Sequence, residues 1–110
     1  MITAEELRRI QKTEYNNYKN YLDMLLSTKN EEIQTKLIKA AEDQLNSIKI
    51  LIETEPIPQS KAIDIMIPEV IRIFYTGYGF KEVSISKYHV LDSKIVGIEL
   101  YFNWEEKKKK

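Results

Sequence analysis

The sequence predicts an α+β fold in which two N-terminal amphipathic helices precede a β-α-β-β unit that forms a small three-stranded sheet. Three observations predict it. Residues 95–104 place Val96, Ile98, Leu100, Phe102 and Trp104 on one face and Ile95, Gly97, Glu99, Tyr101 and Asn103 on the other, the period-two pattern of a half-buried strand. The first half of the chain repeats its apolar residues at helical spacing instead. Between the two, Pro56 and Pro58 forbid regular structure and mark residues 54–60 as a linker.

In chain order, Thr3 and Glu6 form a Thr-x-x-Glu capping box that starts a helix over residues 4–26. Leu7, Ile10, Tyr15, Tyr18, Tyr21, Leu22, Leu25 and Leu26 fall within an arc of about 160° on its wheel. Thr28 and Glu31 repeat the box, so the chain is expected to turn at residues 27–30, with one long bent helix as the alternative. Ile33, Leu37, Ile38, Ala40, Ala41, Gln44, Leu45 and Ile48 trace the face of a second helix. Residues 47–53 fit either its continuation or a β-branched strand, and the helical reading, to about residue 53, is the favoured one. Ile63, Ile65 and Ile67 alternate with Asp64 and Met66, which predicts a strand over residues 62–67.

Pro68 suits the first turn of a third helix over residues 68–76, where its missing amide does no harm. Val70, Ile71, Phe74 and Tyr75 make its buried stripe, Arg72 faces water and Gly77 ends it. A strand over residues 81–90 and a polar turn at 91–94 lead into the last strand as an antiparallel hairpin, and residues 105–110 form a frayed tail.

The residues Ile63 to Phe74, Gly77 with Tyr78, and Glu99 to Trp104 give the C-terminal part a likeness to a group of small, mostly uncharacterised phage-encoded α+β proteins. That resemblance implies no single activity. It implies a viral accessory or structural role that acts by binding, and for such a protein the host-cell cytoplasm as its place.

Composition narrows the classes. A chain of 110 residues is expected to form one domain with one modest core. Lys plus Arg and Asp plus Glu number 17 each, so no strong field steers it to nucleic acid or an anionic membrane. Zero net charge with 43% apolar residues favours self-association. Without cysteine there is no disulfide or thiolate metal site, and the lack of a leader pattern or long apolar run predicts a cytoplasmic protein without a membrane anchor.

No stretch carries recognisable catalytic chemistry, so neither catalysis nor a cofactor is expected. His89, the single histidine, has no second ligand at metal spacing and reads as a strand residue facing solvent. Asp64 and Glu99 would do acid-base work only if they met in one pocket, and otherwise mark the open face of the sheet. Gly77 and Gly79 follow a helix instead of preceding one, so they terminate it and do not cradle a phosphate.

Tyr15, Tyr18 and Tyr21, interleaved with Asn16, Asn17 and Asn20, are the most unusual local feature. They either pack on the second helix or, with Leu7, Ile10, Leu22 and Leu25, form a subunit interface. The expected function is a non-enzymatic, homo-oligomeric binding protein that occupies or sequesters a host protein or a small anionic, nucleotide-like ligand. For the ligand, Tyr75, Tyr78 and Tyr88 would stack while Arg72, Lys81 or Lys87 met phosphate. The alternative is a structural virion or assembly protein whose helices make the subunit contacts.

Overall fold

The computed structural model describes residues 1–106, and most of the expected frayed tail, 107–110, lies outside them. The order is α1 (Ala4–Glu42), β1 (Ser47–Pro58), α2 (Lys61–Phe74), β2 (Glu82–Leu91) and β3 (Lys94–Asn103). The α+β class and the three-stranded sheet hold. The sheet is antiparallel in the order β1-β3-β2, so β3 lies in the middle; Ile98, Leu100 and Phe102 are buried on the face expected, and Ile95, expected on the other, is buried as well.

The N-terminal half is one helix, not two. Thr3 caps it as expected, its hydroxyl accepting from the Glu6 amide at 3.1 Å. The predicted turn at residues 27–30 fails because its polar residues bond backward within the helix. Ser27 donates to the carbonyl of Asp23 at 3.0 Å and Thr28 to that of Met24 at 2.8 Å, so neither is free to cap a new start. The helix ends at Glu42, and Gln44 (φ 65°) turns the chain through the left-handed region. Ile38 and Leu45, assigned from sequence to a second helical face, are exposed.

Residues 47–53 are strand, which corrects the helical reading. Ile48, Ile50 and Ile52 pair with Phe102, Leu100 and Ile98 and share their inward face, while Lys49, Leu51 and Glu53 point outward. β1 continues through the expected linker. Pro56 and Pro58 are tolerated because β1 is an edge strand and its register slips between Glu53 and Ile57.

The strand expected over residues 62–67 is the first half of α2. Ser60 caps it, accepting from the Ile63 amide at 3.1 Å. Ile63, Met66, Ile67, Val70 and Ile71 are the buried positions, spaced 3, 1, 3 and 1 apart as one helical face demands, and Ile65 stands exposed. Pro68 therefore sits inside the helix and not at its start.

Both helices lie on one face of the sheet. Leu22, Leu26 and Ile33 of α1 join the α2 stripe over Ile50, Ile52, Ile98, Leu100 and Phe102, which is fully buried. At an approximate 2 kcal/mol for each fully buried aliphatic or aromatic side chain, this cluster is the main source of stability. The sheet's other face, with Lys49, Leu51, Lys87, His89, Glu99 and Tyr101, is left without a covering helix.

The molecule measures 62 × 31 × 21 Å with a radius of gyration of 16.6 Å, against about 13 Å for a compact chain of this length. The long dimension is α1, about 58 Å at 1.5 Å per residue. Its C-terminal half is docked on the sheet. Residues 1–14 are all exposed.

Candidate functional site

Two surfaces gather the residues that carried functional expectations. The first is an aromatic end, where α2 passes through the loop at residues 75–81 into β2. Tyr75, only 7% exposed, is its hub, with rings of Phe74 at 5.0 Å, Phe102 at 5.1 Å, Phe80 at 6.3 Å and Tyr78 at 6.5 Å, all near edge-on. Gly77 (φ 90°) and Gly79 (φ 82°) bend the loop on either side of Tyr78, which stands largely in solvent. Burial, and then the neighbouring Tyr78, push the Tyr75 hydroxyl up to about 12. Among the described residues this hydroxyl has no hydrogen-bond partner.

Tyr75 and Phe80 wall two shallow hollows. One, of about 160 Å³, is closed on its far side by Asn30, Ile33, Gln34 and Leu37 of α1. The other, of about 190 Å³, is bordered by Arg72, Lys81 and the backbone of Gly77 and Gly79. Of the six residues expected to bind an anionic ligand, the fold therefore brings Arg72, Tyr75, Tyr78 and Lys81 to one end.

It takes Lys87 and Tyr88 elsewhere. Tyr88 lies on the inner face opposite Ile98, near Asp64, and burial followed by that carboxylate pushes its hydroxyl up to about 12. Lys87 points off the outer face to Glu99, at 4.0 Å. The cations are also occupied, Arg72 by Glu69 at 3.3 Å and Lys81 by Glu105 at 3.9 Å. Asp64 and Glu99 lie on opposite sides of the sheet, so they form no shared acid-base pair. Glu99 is instead flanked by His89, 3.8 Å away, and Lys87. Among the described residues no group of His, Cys, Asp and Glu is disposed to hold a metal ion.

The second surface is the free N-terminal stretch of α1, residues 4–14. Leu7 (49% exposed) and Ile10 (51%) stand beyond the body of the molecule. Tyr15, Tyr18, Tyr21 and Leu25 are half-buried against the core, and the Tyr21 hydroxyl accepts from the Glu55 amide at 2.9 Å, clasping β1 where its register slips. Leu22, expected at a subunit interface, is 1% exposed and belongs to the core of the single chain, a correction that follows from its place directly over the sheet.

At the root of this free stretch, Gln11, Glu14, Tyr15 and Tyr18 face Pro58, Ser60, Ala62 and Ile63 across a cleft of about 400 Å³. Sequence reasoning missed the α2 side of this cleft, because it read residues 54–60 as linker and 62–67 as strand. The Ser-x-x-Ile cap at Ser60, followed by apolar residues at helical spacing, was the available signal.

No protein-family model, curated protein or solved structure matches the chain.

No helix among the described residues is long and apolar enough to cross a membrane: α1 has the length but carries charge along its whole exposed side.

Proposed function

We propose that this chain is a non-enzymatic binding protein that works as a homo-oligomer, with the free N-terminal stretch of α1 as its subunit contact. The observation that carries the reading is the pair Leu7 and Ile10. Each leaves about half its surface in water on the stretch of helix that stands beyond the body of the molecule. A small protein gains nothing for its own core from extending a helix beyond its last tertiary contact. Isolated helices of this length are marginal in water, so the extension is explained by a partner that covers it.

In the accessory role that the phage likeness implies, such an oligomer would occupy or sequester a host factor. The aromatic end around Tyr75 and Tyr78 is the surface offered to it, or to a small planar ligand. The charges there argue for stacking over anion capture, since Arg72 and Lys81 each already lie beside a carboxylate.

Light scattering with size exclusion over a range of protein concentrations tests the reading. The chain should run as a small closed oligomer, and Leu7→Glu with Ile10→Glu should run as a monomer of unchanged circular dichroism. A wild-type chain that stays monomeric to millimolar concentration rejects it. Particles that grow without limit would instead favour the assembly role.

A further inference from the structure

We infer that the hollow between α1 and the aromatic end binds an uncharged, flat six-membered ring with a cyclic-amide edge, the class of the pyridones and the pyrimidine bases. This deepens the reading of that end as a surface for a small planar ligand, and it does not depend on the subunit contact.

One face of α1 supplies the outer wall. Asn30, Ile33, Gln34 and Leu37 are spaced 3, 1 and 3 apart, so two carboxamides and two aliphatic side chains share one side of the helix. The aliphatic pair suits the faces of a ring, and the carboxamides suit its edge. Neither carboxamide makes a hydrogen bond among the described residues. Asparagine is a poor residue for the middle of a helix, and at position 30 no hydrogen bond within the fold offsets that cost. A carboxamide carries a donor and an acceptor side by side, and the N–H and C=O of a cyclic amide carry the same two in complementary order.

Tyr75, Tyr78 and Phe80 supply the other wall. The Tyr75 hydroxyl is closed to water and has no partner among the described residues, a condition that native interiors rarely leave unanswered. A ring carbonyl seated against it accepts the bond that the fold does not provide. Tyr78 packs beside Tyr75, its ring 6.5 Å away, and turns outward to let the ligand reach that hydroxyl. The loop has room for this movement. Gly77 and Gly79 both hold positive φ, and nothing lies within 4 Å of where a side chain would begin on either.

Size and charge choose the occupant. The hollow measures about 160 Å³. A cavity of about 150 Å³ takes one benzene-sized ring, so a single ring fits and a nucleoside is too large. Of the residues that line the hollow none is charged, whereas Arg72, Lys81 and Glu82 border its neighbour. An anion would therefore lose water here without gaining a counter-charge, which is costly.

The probe is α-pyridone, followed by NMR on the isotope-labelled chain. It should shift the side-chain amides of Asn30 and Gln34 and the backbone amides of Gly77 and Gly79 along one saturable curve, with a Kd on the order of 1 mM or tighter. N-methyl-α-pyridone, which lacks the N–H, and benzoate, a charged ring of similar size, should each bind about fivefold more weakly or worse. Gln34→Ala, at an exposed position, and Tyr75→Phe, which keeps the ring, should each weaken α-pyridone about fivefold with unchanged circular dichroism. Shifts that do not saturate, shifts scattered over the surface, or equal affinity for N-methyl-α-pyridone or benzoate overturn the inference. Wild-type affinity in either Gln34→Ala or Tyr75→Phe overturns it as well. The chain with Leu7→Glu and Ile10→Glu should bind α-pyridone as the wild type does. A wild-type chain that ignores the probe yet associates in light scattering loses this site and keeps the homo-oligomer reading, and a monomer that binds the probe does the reverse.

Discussion

Tyr21 and Tyr75 show how differently two tyrosines of one chain can be used. The Tyr21 hydroxyl accepts a backbone amide from a strand segment whose register has slipped, and so ties α1 to β1 through a bond of long sequence separation. Tyr21→Phe should cost about 1 kcal/mol in urea unfolding, the net worth of one hydrogen bond, and should raise hydrogen exchange at the Glu55 amide. Tyr75 is the opposite case, a ring used for packing with a hydroxyl that has no partner. Tyr75→Phe should be neutral or stabilising at neutral pH, because a buried unpaired hydroxyl carries a desolvation cost of about 1–3 kcal/mol.

The same burial makes stability depend on alkaline pH. With the Tyr75 and Tyr88 hydroxyls pushed up to about 12 in the folded chain and near the ordinary value of 10.0 when unfolded, folding holds their protons. Their contribution is complete below about pH 10 and is lost as pH rises through about 12. Unfolding midpoints should therefore fall over that window, and less steeply in Tyr75→Phe.

At the scale of elements, α2 holds the clearest internal conflict. Pro68 sits seven residues inside a helix that is otherwise well formed, and it removes the amide that would bond to the Asp64 carbonyl. It is exposed, so the helix bears the loss without disturbing the buried face of Met66, Ile67, Val70 and Ile71. Pro68→Ala should raise stability by up to about 3 kcal/mol, measured by denaturant unfolding, and a neutral result would show that the surrounding packing already absorbs the kink.

Pro68 also limited what the sequence could tell. Proline is common in a first turn, and that rule split one helix into a strand and a shorter helix; Ser60 and the five buried positions of α2 carry the stronger, longer-range pattern. Ile48, Ile50 and Ile52 were ambiguous for another reason, since a short β-branched run fits both periods and only its pairing with β3 decides. The hairpin of β2 and β3 was legible because β3 alternates from Gly97 onward and the turn residues between the strands are polar; at its start the alternation breaks, and Ile95, read from the sequence onto the opposite face, is fully buried beside the register shift between His89 and Val90. Of the residues expected to meet a ligand, Arg72, Tyr75, Tyr78 and Lys81 are brought together by a helix end and a glycine loop that the sequence marks. Lys87 and Tyr88 were lost to the strand's alternation, which sends neighbours to opposite faces.

At the scale of the whole molecule, the charge balance and the shape bear on the same equilibrium. Equal numbers of acidic and basic residues remove the net repulsion that keeps copies apart, and a 62 Å molecule with an uncovered helix end offers a contact that the body does not use. If the folded chain associates and the unfolded chain does not, association adds to apparent stability by mass action. The thermal midpoint should then rise with protein concentration.

Leu7→Glu with Ile10→Glu should abolish that rise, because both residues are remote from the core and their loss costs the single chain little. The wild-type and variant midpoints should converge on dilution. That convergence separates a subunit contact from a stretch of helix that stabilises its own fold: in the second case the variant would melt lower at every concentration, and the N-terminal stretch of α1 would have to be assigned an intramolecular role.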